Sequence, residues 1–266
     1  MYATNGRIRL YYEIAGPAAA PPLVLLRGLG RTVRHWGKLL DLLGDRLRVV
    51  VIDNRGVGRS SAPLPPYDTE TMATDVLAVL DHASIERTSV FGLSLGGMIA
   101  QKLALLRPER VSRLVLGCTR AGGRTGRATS RETLLRLGSA MVLPEARALA
   151  HTASVVLSSE FLARHPEVVG EWQRIAREQP TRRRGYLGQI GAALRHDASR
   201  DLLRLRVPTL VVSGDADRLI DVENSRHLAQ VIPGARLEIL SGAGHDLPIE
   251  RPRELAALLT GFCLPC

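Results

Sequence analysis

Cysteine is scarce in this 266-residue chain, and long apolar segments are missing. Three cysteines, an odd number in a chain of this length, do not make a disulfide framework. Eighteen apolar residues never follow one another, and Met1 to Gly16 lacks the basic start and apolar stretch of a signal peptide. These absences argue against a disulfide-stapled or membrane protein. We expect a cytoplasmic protein with no membrane partner.

Ligand sets for a metal are also missing. Cys263 and Cys266 have the CxxC spacing, but a structural site needs four ligands, and no second CxxC or paired histidine cluster supplies the rest. Cys118 ends an apolar run and is expected in the core. The sequence therefore predicts no metal site.

Lysine is nearly absent as well: among 36 basic residues only Lys38 and Lys102 are lysine, and the net charge is +10. Such a charge usually suggests a nucleic-acid partner. Here the arginines are spread along the chain and no nucleic-acid-reading motif accompanies them. We expect a solvated basic surface and no nucleic-acid partner.

Short, continuously apolar runs alternate with segments of helical spacing. The helical segments include Thr69 to Ala83, Leu95 to Arg107 and a final one from Pro252 to Phe262. The apolar runs are Leu23 to Leu26, Val49 to Ile52, Val90 to Leu93, Val111 to Leu116, Pro208 to Ser213 and Ala235 to Leu240. Strands buried on both faces have this composition. The pattern predicts the α/β class, with a mostly parallel central sheet flanked by helices.

Two stretches depart from this alternation. Arg7 to Ala15 alternates charged and apolar residues, which predicts an antiparallel strand at the edge of the sheet. Residues 120–199 contain no β-rich run and predict a helical insertion between core segments 1–119 and 200–266. Its helical stretches include Glu132 to Met141, Pro144 to Leu157 and Val168 to Arg177.

Ser94 lies in the sequence Gly-Leu-Ser-Leu-Gly-Gly, between an apolar run and a helical run. This is the strand–turn–helix setting of the GxSxG motif, in which a sharp turn exposes the serine hydroxyl. The turn excludes neighbouring side chains, so Gly92 and Gly96 fit it. The alternative is that Ser94 is only a helix cap.

A nucleophilic serine needs an imidazole base and a carboxylate that orients the base. His245 follows the apolar run that ends at Leu240 and lies in a glycine-rich loop, which places it at the carboxyl end of a strand. For the acid, Asp215 and Asp217 both follow the run that ends at Ser213. The residues alone leave the choice between them open.

Together these motifs resemble the α/β-hydrolase superfamily, in its branch of small bacterial esterases, enol-lactone hydrolases and cofactor-free haloperoxidases. The matching pieces are the serine motif, Asn5 to Glu13, Arg27 to Gly30, Asp53 to Ser60, Gly214 to Asp217, Gly242 to His245 and Glu250 to Pro252. The resemblance implies that fold, with a helical cap formed by residues 120–199. It also implies that Asp217, the last position of G-x-x-D, is the acid, with Asp215 the second choice.

The resemblance further implies an oxyanion hole formed by the backbone N–H groups of Leu29 and Leu95. Relatives usually carry His-Gly where this chain has Arg27 and Gly28. Arg27 either braces the loop, which we favour, or contacts an anionic substrate group. In the insertion, Arg182 to Arg184 is expected to be a solvated face, with contact to a carboxylate-bearing substrate as the alternative.

The expected activity is hydrolysis of a small-molecule ester or lactone through an acyl-enzyme, with Ser94, Asp217 and His245 as the triad and without a cofactor. Three alternatives share that triad: a C–C bond hydrolase, a thioesterase and a perhydrolase. The C–C type often has tryptophan soon after its histidine, whereas this chain reads His245-Asp-Leu-Pro. A non-catalytic ligand-binding protein on the same scaffold is the alternative of another class.

Overall fold

The computed structural model describes residues 1–123, 125–140 and 142–264. The predicted helix end at Met141 and the CxxC residue Cys266 lie outside these ranges. None of the helices in the described ranges combines the length and apolar character needed to cross a membrane.

Within the described residues, a single eight-stranded sheet runs through the molecule in the order β1-β2-β4-β3-β5-β6-β7-β8. Its strands are β1 Tyr2–Asn5, β2 Ile8–Ala15, β3 Pro22–Leu26, β4 Arg48–Ile52, β5 Thr88–Leu93, β6 Val111–Gly117, β7 Thr209–Gly214 and β8 Arg236–Leu240. β1, β2 and β4 pair antiparallel, and all pairings from β4 to β8 are parallel. The predicted fold class is confirmed.

The edge of the sheet differs from the prediction. β2 corresponds to the alternating segment Arg7 to Ala15, but it lies second in the sheet and β1 covers it. Gly6, at φ +58°, makes the turn between the two strands. A four-residue strand is too short for its alternation to be read from sequence.

Helices cover both faces of the sheet and fill the segment between β6 and β7. Within the described ranges they are α1 Leu39–Gly44, α2 Thr69–His82, α3 Leu95–Leu106, α4 Arg131–Ala140, α5 Glu145–Val156, α6 Ser159–Arg164, α7 Glu167–Glu178, α8 Arg183–Arg195, α9 Val222–Val231, α10 Leu247–Glu250 and α11 Pro252–Cys263. The prediction missed α6, α8 and α10.

Alternate residues of each central strand belong to different core layers. In β3, Val24 and Leu26 pack with α2 and α3 on one face of the sheet. Leu23 and Leu25 pack with α1 and α11 on the other face. Both faces are therefore apolar, which explains why the central strands are continuous apolar runs.

Helices α4 to α8 form the insertion, which has a small core of its own that includes Ala153, Leu157 and Trp172. An isolated antiparallel bridge between Gly122 and Asp197 brings the two ends of the insertion together. The predicted division at residues 120 and 199 stays a prediction.

The turn from β5 into α3 is the tightest point near the carboxyl edge of the sheet. A Cβ atom on Gly92 would lie 2.2 Å from the carbonyl oxygen of Gly96, and one on Gly96 would lie 2.0 Å from the carbonyl oxygen of Leu26. These are backbone atoms that cannot move aside. Only glycine fits either position without displacing the strand or the helix.

We expect Gly92→Ala to lower the free energy of unfolding by about 2 kcal/mol or more, because overpacking against backbone cannot relax. The matched control is Gly170→Ala in α7, where an added Cβ meets no described atom within 4 Å. That change should raise stability by about 0.5–1 kcal/mol through helix propensity. Urea unfolding followed by circular dichroism measures both, and a Gly92→Ala protein as stable as wild type would show that the turn can relax.

Candidate active site

Ser94 occupies the turn between β5 and α3 with strained backbone angles, φ +58° and ψ −119°. Its N–H donates to the carbonyl of Gly117 at 2.8 Å, and its own carbonyl accepts the Thr119 hydroxyl at 2.8 Å. The side chain makes no capping hydrogen bond to α3. A helix-capping residue has extended backbone angles, and its side-chain oxygen accepts a backbone N–H of the first helical turn, so the capping explanation does not fit Ser94.

Two main-chain N–H groups flank this serine. Leu95 is the first residue of α3, so its N–H points out of the helix N-terminus, where the helix dipole favours negative charge. Gly28 approaches the serine so closely that a Cβ there would lie 3.1 Å from the Ser94 Cβ. Leu29 follows it in the loop after β3. Among the described residues, the N–H groups of Leu29 and Leu95 have no hydrogen-bond acceptor.

His245 and Asp217 meet beyond the carboxyl ends of β8 and β7. The His245 Nδ1 donates to Asp217 Oδ2 at 2.7 Å, and both side chains are buried. Asp215 is exposed instead, and its carboxylate accepts the N–H of Gly242 at 2.6 Å. The structure thus brings Asp217, and not Asp215, to the imidazole.

The position of the Asp217 carboxylate is fixed by the chain around it. Its Oδ1 accepts the backbone N–H groups of Leu219 and Ile220 at 2.8 and 2.9 Å, which leaves Oδ2 for His245. With Nδ1 as the donor, the Nε2 of His245 is the atom free to accept a proton. Ser94 Oγ and His245 are not hydrogen bonded in this structure.

Cys118 completes the surroundings of Asp217. Its thiol, the Asp217 carboxylate and the His245 imidazole offer donor atoms within 4.8 Å of one another. A metal would require the thiolate, but burial and then the nearby Asp217 charge raise the pKa of the Cys118 thiol well above its usual value. The carboxylate oxygens also have partners already. This cluster suits a neutral thiol packed against a hydrogen-bonded carboxylate and imidazole better than a metal.

The loop that carries His245 is held by the insertion. The backbone N–H groups of His245 and Asp246 both donate to the carbonyl of Val156, at 2.9 and 3.0 Å, where α5 ends. The Glu250 carboxylate accepts the Ser158 hydroxyl at 2.6 Å and the Ser158 N–H at 2.9 Å. Main-chain geometry in the insertion therefore sets where the imidazole sits.

Arg27 joins the loop after β3 to the histidine loop. Its guanidinium donates in a bidentate pair to the Asp246 carboxylate at 2.9 and 3.0 Å, and the Arg27 side chain is fully buried. The guanidinium also lies 4.9 Å from the Trp36 ring centroid. With its charge matched in this way, Arg27 braces the loop and does not reach a substrate.

Sequence reasoning missed Asp246 as the partner of Arg27. One signal was present: an arginine directly after a buried strand needs a buried carboxylate, and Asp246 is the residue next to the predicted base. It also missed Gln189 of α8, which accepts the Gly30 N–H at 2.9 Å and donates to the Arg55 carbonyl at 2.9 Å. No sequence pattern marks that contact.

Comparison with known proteins agrees with this architecture. The family model described as alpha/beta hydrolase fold matches residues 21–252. The chain is 34% identical to the "Putative carbamate hydrolase RutD" of Pseudomonas syringae pv. syringae, over 92% of this chain and 94% of that protein. It is 29% identical to 3-oxoadipate enol-lactonase 2 of Acinetobacter baylyi, over 92% and 90% of the two chains.

Among solved structures, the enol-lactonase from Burkholderia xenovorans superposes with a TM-score of 0.88 at 29% identity, covering 98% of this chain and 99% of that one. The chain therefore belongs to the α/β-hydrolase family. It is a hydrolase of that family, as the sequence motifs predicted.

The Arg27–Asp246 pair can be tested by a double-mutant cycle. Arg27→Met or Asp246→Leu alone should cost about 3–5 kcal/mol of stability, because each leaves a buried charged group unpaired. Combining Arg27→Met with Asp246→Leu should cost much less than the sum of the single changes. Urea unfolding measures the cycle, with Arg164→Met in the exposed Arg164–Glu160 pair as the control, expected to cost under about 1 kcal/mol. Additive losses would show that the pair is not coupled.

Proposed function

We propose that the protein is a serine hydrolase that cleaves a small-molecule carboxylic ester or lactone through an acyl-enzyme. The observation that carries the proposal is the 2.7 Å hydrogen bond between His245 and Asp217 at the sheet edge where Ser94 occupies a strained turn. The two unpaired N–H groups of Leu29 and Leu95 beside that turn support it. The names of the enol-lactonase relatives fit an ester or lactone, and the name of the carbamate hydrolase relative makes carbamates a second compound class to assay.

In this mechanism His245 Nε2 takes the proton of Ser94 Oγ as the oxygen attacks the carbonyl carbon. The carbonyl oxygen becomes an oxyanion that the Leu29 and Leu95 N–H groups stabilise. The imidazolium, stabilised by Asp217, then gives its proton to the leaving alcohol as the C–O bond breaks. Water, deprotonated by the same nitrogen, attacks the acyl-enzyme and releases the acid and free Ser94.

The missing hydrogen bond between Ser94 and His245 is compatible with this role. Catalytic hydrogen bonds are often long in enzymes without substrate and tighten in the complex. The Asp217 contact orients the ring in advance, and the Val156 carbonyl holds its backbone.

Helices α4 to α8 act in this proposal as a cap that excludes water from the acyl-enzyme and shapes the pocket for a small-molecule substrate. Their contacts with the loops of the site support the assignment: Val156 and Ser158 hold the histidine loop, and Gln189 holds Gly30.

Ser94→Ala should abolish hydrolysis of short-chain p-nitrophenyl esters while leaving the fold intact, since the attacking oxygen is gone. The test measures turnover by wild type and by Ser94→Ala, with circular dichroism to check that the fold is intact. The compounds are esters, lactones, thioesters, carbamates and vinylogous diketones. Appreciable Ser94-independent ester hydrolysis would refute the assignment. Turnover of the diketones alone would point to the C–C hydrolase alternative.

Asp217→Asn should lower kcat for ester hydrolysis by about 10³- to 10⁴-fold, because an amide cannot stabilise the imidazolium or select its tautomer. Asp215→Asn is the matched control, since Asp215 is exposed and contacts Gly242. It should retain nearly all activity. A larger loss in Asp215→Asn than in Asp217→Asn would reassign the acid.

A further inference from the structure

The loop after β3 carries two arginines whose surroundings differ sharply. Arg27 is paired with both oxygens of Asp246. Arg31, four residues later, feels the same Asp246 charge but hydrogen bonds to neither of its oxygens. Two guanidinium groups therefore lie near one carboxylate, and only the Arg27 guanidinium is hydrogen bonded to it.

The Arg31 guanidinium lies between the loop and the insertion. Its Cζ is 3.6 Å from the ring centroid of Trp172 in α7, and Trp172 is almost completely buried. Its Nη2 is shielded from solvent and has no hydrogen-bond partner among the described residues. Arg31 as a whole is half-buried.

This arrangement leaves the hydrogen-bonding capacity of Arg31 unused. Burial, opposed by Asp246 and reinforced by Arg27, lowers the pKa of Arg31 to about 10, so the group stays charged at neutral pH. A cation–π contact compensates part of the desolvation of the charge, but it satisfies none of the five N–H donors. A planar guanidinium fork with free donors matches a carboxylate, which it can bind through two parallel hydrogen bonds.

Arg31 is also close to the proposed reaction centre. It follows Leu29, a proposed oxyanion donor, by two residues, so their Cα atoms lie within about 7 Å. Gly28, in the same loop, contacts Ser94. Gly30, which lies between Leu29 and Arg31 in the chain, donates its N–H to Gln189 and lies against the ring of Tyr186.

We propose that Arg31 binds a carboxylate carried by the substrate, so that the preferred substrates are esters or lactones that bear a free carboxylate a few bonds from the scissile carbonyl. This inference rests on the proposed ester or lactone hydrolysis. It assigns substrate recognition to the loop arginine and not to the run Arg182 to Arg184, whose side chains are exposed.

The test compares phenyl monoesters of C6 to C8 dicarboxylic acids with the same compounds methylated on the free carboxylate, by the rate of phenol release. Wild type should have the higher kcat/KM for the anionic esters. Arg31→Met should lower kcat/KM for them about ten- to a hundredfold, mainly through KM, because it removes hydrogen bonds to a charged group. Its effect on the neutral esters should be small. Arg31→Lys should keep part of the preference.

Arg34→Met is the matched control, because Arg34 belongs to the same segment but is about half exposed and lies 4.0 Å from Glu178. It should leave both rates and the preference unchanged. If Arg31→Met lowers both rates equally, or if wild type shows no preference for the anionic esters, the proposal is wrong and Arg31 only clamps the insertion to the loop.

A binding measurement separates this proposal from the hydrolase assignment. Isothermal titration calorimetry should detect pimelate binding to wild type and to Ser94→Ala, and binding to Arg31→Met should be at least tenfold weaker. If no ester is hydrolysed but this difference is found, the carboxylate site stands and the proposed function fails. Equal binding, or none, would overturn the carboxylate site whatever the activity.

Discussion

The site depends on the close passage of three backbone segments at the end of β5. Gly92, Gly96 and the end of β3 approach so closely that a methyl group at either glycine would overlap a carbonyl oxygen. This contact holds Ser94 at positive φ, raises its hydroxyl above the sheet and places the N-terminus of α3 beside it. The same contact brings the loop after β3, with Gly28 and Leu29, against the serine. The positions of the proposed nucleophile and of the proposed oxyanion donors thus follow from one steric constraint.

Around that rigid centre, the other parts of the site are held by polar contacts between distant segments. The Arg27–Asp246 pair joins two loops that are more than two hundred residues apart in sequence. Gln189 joins the loop after β3 to α8, and Val156 joins the histidine loop to α5. A buried ion pair contributes little net stability against apolar side chains, but it penalises any arrangement in which either partner is displaced. These contacts therefore fix the positions of the loops around the site more than they raise the free energy of unfolding.

Much of this architecture is readable from the sequence, since the central strands are buried on both faces and so are continuous apolar runs. The glycines around Ser94 and the loop of His245 are equally readable, because steric needs restrict these positions to few residue types. Helix α8 is not, since the three glycines in its sequence lower the helix propensity of the segment. Strand β1 is too short for the alternation of its side chains to be recognised in the sequence. The choice of Asp217 over Asp215 as the contact of His245 depends on which carboxylate turns inward after β7. The residues alone leave this open, and only the resemblance to the family's G-x-x-D motif selects Asp217.

The histidine loop is tied to α5 through a carbonyl oxygen, and a carbonyl is the one feature that every amino acid supplies. Side chains of the insertion can therefore be exchanged without breaking the tie, provided that the helix ends at the same place. The length of the chain up to Val156 is therefore constrained more tightly than the identity of its exposed side chains. Substitutions in this insertion that change the substrate would therefore leave the proposed base, His245, in the same place. A graft of the insertion between relatives should preserve the number of residues that precede Val156 before it preserves sequence identity.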